Sequence, residues 1–199
     1  LHDIGKVLIP SEILQKPGRL SDEEFEEMKR HTTYGFDLLR NLHSVSLLVA
    51  HCAFQHHERL DGSGYPRGLK EAGIHPFAKI IGVADVFDAV TSNRVYRGKM
   101  LPSEGIAIIE AASGTGFDKR VVDAFKSCIV HYPNGSVLLL SDNRRGIVAR
   151  QNMQKSTSPV VRIFEENGVL LPATYELALH ENVGIHILKV EPDFQSAPV

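Results

Sequence analysis

Six of the histidine and aspartate side chains in the first half of the chain are candidates for binding metal ions. One of them, Asp85, lies within the otherwise apolar run Ile80–Phe87. A carboxylate there must be paired, protonated or bound to a metal, because an isolated buried charge is very costly. The six offer nitrogen and oxygen donors without a thiolate, a set that suits iron, manganese or zinc. They are His2, Asp3, His31, His56, His57 and Asp85.

The grouping of these residues distinguishes them from ordinary histidines. A single buried histidine is most often a hydrogen-bonded core residue, and Asp85 alone could pair with a lysine or with backbone amides. A His-Asp pair, a histidine, a His-His pair and an aspartate in one helical region instead indicate a shared metal centre. Two metals bridged by one carboxylate could activate a water and hold a phosphoryl oxygen at once, and Asp3 is the obvious bridge. The histidines that keep the ordinary interpretation are His43, His51, His75, His131, His180 and His186.

The composition limits the classes of protein that fit. The 199 residues are 43% hydrophobic and 23% charged, as in globular proteins. The 22 Lys and Arg against 24 Asp and Glu give a formal net charge of −2, which argues against a binder of polymeric nucleic acid. The longest apolar stretches, such as Val137–Leu140, are far shorter than the ~20 residues that span a bilayer. No charged-then-apolar leader opens the chain, and Cys52 and Cys128 are expected to be buried thiols. A cytoplasmic protein with reduced thiols is therefore expected.

Helices must position most of the candidate ligands. Ser21 and Glu24 form a capping box, and the apolar residues behind it predict one helix that ends around Asn41. A proline at the first turn, Pro76, favours the start of the helix that carries Asp85. The predicted helices run from Ser21 to about Asn41, from Val45 to about His57, from about Pro76 to Ser92, from the cap Ser103 to about Ser113, and from the cap Asp118 to about His131.

The helical pattern of the sequence is interrupted in two places. The segment Asp61–Pro66 contains two glycines and a proline, which predicts an irregular loop, and it lacks the pattern of a phosphate-binding loop. After the turn Tyr132–Gly135, short β-rich runs replace the helices, so a domain boundary is expected near Pro133. The predicted parts are a helical domain over 1–132, a small β-rich subdomain over 133–190 and a frayed tail over 191–199. The predicted strands are Val137–Leu140, Gly146–Gln151, Val160–Phe164 and Ile185–Val190.

Two strings of residues closely resemble the signatures of a known family. They are HDIGK at residues 2–6 and HHERLDGSGYP at residues 56–66. Together with His31 and with the helix around Asp85, they resemble the HD-GYP domain, a bacterial subgroup of the HD phosphohydrolase superfamily. The resemblance covers about residues 1–132. It implies an all-α helical bundle of the HD type, which in some members is followed by a small all-β subdomain.

The resemblance also implies an activity and roles for individual residues. Members hydrolyse the second messenger cyclic di-GMP to linear pGpG or on to GMP, with two or three divalent metal ions, usually iron or manganese. By the resemblance, Asp3 bridges the metals and orients the attacking water, and Lys6 meets the phosphate. Tyr65 would line the substrate pocket, and Arg94 and Arg97 would grip phosphate or guanine. The implied metal ligands are His2, Asp3, His31, His56, His57 and Asp85.

Further expectations concern the surroundings of this domain. In the family, one or more helices precede the His-Asp pair, so a domain without its N-terminal helices is expected here. Upstream sensory or receiver domains, a diguanylate cyclase partner and a homodimer are compatible with the resemblance. Two alternatives stay open: an HD phosphohydrolase that acts on another cyclic dinucleotide or nucleotide, and a non-catalytic module that binds a nucleotide or a protein. Glu58 and Arg59 are motif residues with no role that can be assigned from sequence.

Overall fold

The structure is a computed structural model, and it describes residues 1–92, 100–152 and 155–191. The chain divides into two units, Leu1–Lys126 and Ser127–Val199. The first unit is helical and the second contains a β-sheet, so the predicted order of a helical bundle followed by a β subdomain is confirmed. The boundary near Pro133 stays a prediction, and the predicted tail lies outside the described residues from position 192 onward.

Short helices joined by tight turns make up the first unit. One of them, the 3-10 helix Ile4–Leu8, directly follows the pair His2 and Asp3. The longest described helix carries Asp85 and begins at Pro76, as predicted. The other 3-10 helix in the described residues is Glu71–Gly73, and the α-helices are α1 (Ser11–Leu14), α2 (Asp22–Lys29), α3 (His31–Arg40), α4 (Leu47–Gln55), α5 (Pro76–Thr91), α6 (Pro102–Ala111) and α7 (Lys119–Cys128).

The start of α2 has the predicted capping box. The Ser21 hydroxyl accepts a hydrogen bond from the Glu24 N–H at 3.3 Å, and the Glu24 carboxylate accepts one from the Ser21 N–H at 2.7 Å. The prediction of one continuous helix from Ser21 to Asn41 is wrong, because the segment forms two helices that meet at Arg30.

Side chains that bond to the backbone explain this break. His31 Nδ1 lies 2.6 Å from the Met28 carbonyl oxygen, and Thr32 Oγ1 donates to the Lys29 carbonyl at 2.9 Å. Such bonds satisfy carbonyls at the end of α2 and compete with the regular helical ladder. The Arg30 N–H correspondingly bonds three residues back, to Glu27, instead of four. The break therefore depends on the same imidazole that is a candidate metal ligand.

The two predicted caps further along the chain have different outcomes. Ser103 is not a cap, because α6 already begins at the preceding residue, Pro102. The fixed φ of proline is favourable at this first helical position. Leu101 takes the cap position. Asp118 does cap α7, since its Oδ1 accepts a hydrogen bond from the Arg120 N–H at 2.9 Å.

Two glycines allow close backbone contacts in the helical unit. A Cβ on Gly5 would lie 1.9 Å from the His31 carbonyl oxygen, so the first 3-10 helix packs directly on the start of α3. A Cβ on Gly82 would lie 2.6 Å from the His56 carbonyl oxygen, so α5 packs directly on the end of α4. Apolar clusters fill the core of this unit: Leu39, Ala50 and Ala53 in one, and Val83, Ile109, Phe117 and Val122 in the other.

The second unit is a five-stranded antiparallel sheet with the strand order β4-β3-β2-β1-β5. The first strand has the predicted bounds, and the other predicted strands differ by one or two residues at their ends. The strands are β1 (Val137–Leu140), β2 (Arg144–Arg150), β3 (Val160–Glu166), β4 (Val169–Ala178) and β5 (Ile187–Glu191). The buried core of the sheet is Leu138, Leu140, Val148, Val161, Ile163 and Leu179.

The longest strand, β4, is absent from the sequence prediction. Its interior contains Pro172, and proline argues against a strand unless the strand lies at an edge or the proline at a bulge. Here both exceptions hold: β4 is an edge strand, and its register with β3 shifts between Ile163 and Glu165, opposite the stretch around Pro172.

The two cysteines differ in exposure. Cys52 is buried as predicted, whereas the prediction for Cys128 is wrong and its thiol is exposed. Cys128 lies six residues after the buried Val122 in α7, which turns it about 240° away from the buried face. Separately, no helix within the described ranges is long and apolar enough to cross a membrane.

Candidate metal centre

The six predicted ligand residues converge in one place in the helical unit. One pair precedes the first 3-10 helix, one histidine begins α3, one pair follows α4, and Asp85 lies within α5. Their ligand atoms form two groups that share Asp3, and a shared carboxylate is what a bridged pair of cations requires. Within each group the atoms lie within 4.8 Å of one another: Asp3, His31, His56 and His57 in one, and His2, Asp3 and Asp85 in the other.

Asp3 lies at the middle of the site. Its Oδ1 is 3.4 Å from His31 Nε2 and 3.7 Å from His56 Nε2. His2 Nε2 is 3.5 Å from Asp3 Oδ2 and 3.6 Å from Asp85 Oδ1. Among the residues that the structure describes, Asp3 Oδ1 is buried and has no hydrogen-bond partner. Such an oxygen is costly to bury, and a cation between the two groups would satisfy it, so the residues present fit a metal.

Backbone carbonyls orient the two most deeply buried imidazoles. His31 Nδ1 lies 2.6 Å from the Met28 carbonyl oxygen, and His56 Nδ1 lies 2.9 Å from that of Ala53. A carbonyl can only accept, so each Nδ1 carries the ring proton and each Nε2 presents a lone pair. The two Nε2 atoms lie 3.5 Å apart. Two facing lone pairs at this distance are the arrangement that a shared cation satisfies.

The surroundings hold the ligands in their metal-binding protonation states. Burial, together with the neighbouring His56, lowers the pKa of His57 to about 3, and burial also lowers the pKa of His31. Burial opposes the charge of Asp3, but its hydrogen-bonding partners, the Lys6 ammonium among them, outweigh it, so the pKa of this carboxyl lies well below its usual range. At neutral pH His31 and His57 are therefore neutral and Asp3 is ionised, which are the forms that bind metals.

His2 and Lys6 lie at the more exposed side of the site. A hydrogen bond to Asp85 raises the pKa of His2, and the same bond outweighs burial and lowers the pKa of Asp85. Lys6 Nζ lies 2.5 Å from Asp3 Oδ2, and its side chain is 38% exposed. An amine with this exposure can reach a phosphate that arrives from solvent.

A loop over residues 61–70 lies against the site and carries Tyr65. An isolated β-bridge between Asp61 and Lys70 closes the loop. The Tyr65 ring stacks on His57 with 4.6 Å between ring centroids and 26° between planes. Burial raises the pKa of Tyr65, so its hydroxyl stays protonated at neutral pH. The loop therefore places Tyr65 against a candidate ligand, and its role in lining a substrate pocket stays a prediction.

Glu58 holds this loop by its backbone. The residue is 5% exposed, and its carboxylate accepts hydrogen bonds from the N–H groups of Arg67 and Leu69, both at 2.8 Å. Sequence reasoning missed this role, and the only signal was an acidic residue between the histidine pair and a glycine-rich loop. Because the loop carries Tyr65, Glu58 acts on the site as a positioning residue.

Arg59, the other motif residue without a predicted role, anchors the start of the loop. Its guanidinium donates to the Glu58 carbonyl at 2.9 Å and lies 4.9 Å from the centroid of the Phe117 ring. This contact ties the loop to the apolar core. Arg94 and Arg97 lie outside the described residues, so their contact with phosphate or guanine stays a prediction.

A family model described as the HD domain matches residues 1–121, a stretch that contains the whole candidate centre. The chain belongs to the HD domain family. Within that family, the strings at residues 2–6 and 56–66 and the curated relatives identify it as an HD-GYP domain protein. The family and the two ligand groups indicate divalent metal ions as cofactors.

The curated relatives include enzymes named for cyclic di-GMP and enzymes named for 3′3′-cGAMP. A cyclic di-GMP phosphodiesterase of Pseudomonas aeruginosa is 40% identical over 164 residues, which are 82% of this chain and 39% of that protein. A cyclic di-GMP phosphodiesterase of Thermotoga maritima is 52% identical over 126 residues, 63% of this chain and 34% of that protein. A 3′3′-cGAMP-specific phosphodiesterase of Vibrio cholerae is 45% identical over 124 residues, 62% of this chain and 28% of that protein. The chain thus spans less than half the length of each of these relatives.

Proposed function

We propose that this chain carries the catalytic domain of a metal-dependent phosphodiesterase that hydrolyses cyclic di-GMP to pGpG, to GMP, or to both. The observation that carries the proposal is the pair of ligand groups joined by Asp3, with Lys6 against the same carboxylate. The substrate comes from the names of the Pseudomonas and Thermotoga relatives.

The residues of the site would have different roles in hydrolysis. Two or three divalent ions, iron or manganese by the family resemblance, would supply an activated water and positive charge for the phosphoryl oxygens. Asp3 would bridge these ions and orient the attacking water, which its position in both ligand groups supports. Lys6 would donate a hydrogen bond to the phosphate and stabilise the charge that develops there. The remaining ligands would be His2, His31, His56, His57 and Asp85.

The substrate side of the proposal rests on the loop residues. Tyr65 would line the pocket, because it packs directly on His57 at the edge of the ligand cluster. Arg94 and Arg97 would contact phosphate or guanine, as the resemblance implies. Sensory or receiver domains, a diguanylate cyclase partner, a homodimer and a cytoplasmic location stay predictions.

A second candidate substrate is a mixed cyclic dinucleotide. The Vibrio relative that is named for 3′3′-cGAMP is 45% identical to this chain, within the range of the cyclic di-GMP enzymes. The overall similarity therefore does not choose between the two substrates, and the choice must come from residues that contact the bases.

The test is turnover by the purified chain, loaded anaerobically with Fe(II) or Mn(II). Cyclic di-GMP and 3′3′-cGAMP are supplied separately, and the products are separated by chromatography. We expect cyclic di-GMP to be linearised by the wild type and not by Asp3→Asn, whose amide cannot bridge two cations. Asp142→Asn is the control, because Asp142 lies in the β unit and pairs with Arg144.

Three outcomes would overturn the proposal or its substrate. Turnover that survives Asp3→Asn would exclude the proposed centre. Faster cleavage of 3′3′-cGAMP than of cyclic di-GMP would select the second substrate. A chain that contains no transition metal by elemental analysis and cleaves neither nucleotide would be a non-catalytic module.

A further inference from the structure

An aromatic and cationic corner lies beside the metal centre and has no part in holding metals. Lys29 Nζ lies 5.4 Å from the centroid of the Phe25 ring and 5.8 Å from that of Tyr65. The Phe25 and Tyr65 rings meet edge to face, with 6.2 Å between centroids. Tyr65 stacks in turn on His57. A series of aromatic contacts therefore runs from the candidate metal ligand His57 through Tyr65 to Phe25, with the Lys29 amine near both of the last two rings.

Both new members of this corner are available to a ligand. Phe25 is 47% exposed, a large fraction for an aromatic side chain next to a buried centre. The Lys29 side chain is 24% exposed and forms an ion pair with Glu26, whose side chain is 70% exposed. Surface ion pairs of this kind contribute little to stability, so Lys29 can exchange Glu26 for a ligand at small cost.

We propose that Phe25, Lys29 and Tyr65 form the subsite for one purine base of the cyclic dinucleotide, and that Lys29 makes this subsite select guanine. The inference rests on the proposed function and extends it to the choice of base. Nucleotide bases stack on aromatic rings whatever their identity, so Phe25 and Tyr65 would bind a purine without choosing between adenine and guanine.

The choice between guanine and adenine comes from the Lys29 ammonium. Guanine presents two acceptors, N7 and O6, on the edge where adenine presents the acceptor N7 and the donor N6. A lysine ammonium has three donors and no acceptor. Lys29 therefore matches both groups on this edge of guanine and meets the amino group of adenine as donor against donor. The corner would favour cyclic di-GMP over cyclic di-AMP.

The experiment compares Lys29→Met and Lys29→Arg with the wild type. Met keeps the length of the side chain and removes the donors, whereas Arg keeps donors that suit guanine. Lys16→Met is the matched control, because Lys16 also pairs with a carboxylate of α2, Glu24, at 2.5 Å. Cyclic di-GMP and cyclic di-AMP are used both as substrates of the Mn(II)-loaded chain and as calorimetric ligands of the metal-free chain.

We expect Lys29→Met to reduce the preference for cyclic di-GMP roughly tenfold, both in kcat/KM and in affinity, mainly through a higher KM. Lys29→Arg should retain the preference and Lys16→Met should leave it unchanged. An unchanged preference in Lys29→Met, with an unaltered melting temperature, would overturn the inference. If the wild type cleaves no cyclic dinucleotide, the proposed function fails by itself, and the binding ratio of the metal-free chain still decides whether Lys29 selects guanine.

Discussion

Replacement of Glu58 by glutamine should loosen the loop that carries Tyr65 while leaving the fold intact. The carboxylate is 5% exposed and accepts two backbone hydrogen bonds, from Arg67 and Leu69. Glutamine keeps one acceptor oxygen and turns an NH2 group toward the second N–H. The variant therefore loses one hydrogen bond to a charged group and gains a donor that faces a donor.

The size of the effect follows from that loss. A hydrogen bond to a charged group contributes about 1.5–3 kcal/mol. A loss of about 2 kcal/mol would raise the population of the open loop roughly thirtyfold. Proteolysis of a transiently open segment follows this population when opening and closing are fast. Trypsin should therefore cut after Arg67, which is exposed and lies in the loop, roughly thirtyfold faster in Glu58→Gln than in the wild type.

Two controls separate loop opening from global unfolding. Glu71→Gln changes a nearby carboxylate that is 68% exposed, and it should leave cleavage after Arg67 unchanged. Cleavage after Arg120, within α7, reports unfolding of the helical unit and should be equal in all three proteins. The reasoning would be refuted if Glu58→Gln were cut after Arg67 at the wild-type rate, or if cleavage after Arg120 rose in parallel.

Two further predictions concern the stability of the centre. In the metal-free chain, burial lowers the pKa of His57 from its usual 6.5 to about 3, so the unfolded state binds the proton more tightly and stability falls as the pH drops from 6.5 toward 3. Urea unfolding should show that His57 lowers the free energy of unfolding by about 2 kcal/mol between pH 7 and pH 5. The lowered pKa of His31 adds to this loss, and the raised pKa of His2 partly opposes it. Equal free energies of unfolding at the two pH values would contradict the prediction. Gly82→Ala would place a Cβ 2.6 Å from the His56 carbonyl oxygen and should cost about 1–3 kcal/mol by overpacking, together with the loss of bound Mn(II). Gly73→Ala, whose Cβ would meet ordinary contacts at 3.5 Å, should retain both, and full metal content in Gly82→Ala would contradict the prediction.

Residue type and spacing predicted the helix starts and strands that depend only on residues close together in the chain. The capping box at Ser21 and the strand Val137–Leu140 follow from residue type and spacing alone, and both are found. The break at Arg30 was not predictable in this way, because it depends on side chains that bond to carbonyls of the preceding turn. The strand around Pro172 was missed for a similar reason, since only its position at the sheet edge makes the proline tolerable.

In the candidate site too, residue types were predictable from the sequence and contacts between distant residues were not. The types and spacing of the ligands predict a metal centre, and the structure brings the six residues together. The role of Glu58 was not predictable, because its partners are backbone N–H groups, which every residue except proline possesses. Lys29 was missed because a lysine in a helix looks like a solvated charge until the folded chain places two aromatic rings beside it.

The positions of the candidate ligands depend on close backbone contacts at two glycines. The two ligand groups share only Asp3, so each must be held at a fixed distance from it. Gly5 sets one distance, because its contact with the His31 carbonyl fixes the segment of Asp3 on α3. Gly82 fixes Asp85 relative to the other group, because its contact with the His56 carbonyl holds α5 on the end of α4. Backbone atoms in contact cannot move aside as a side chain can. A methyl group at either glycine must therefore push apart the candidate ligands that Asp3 joins.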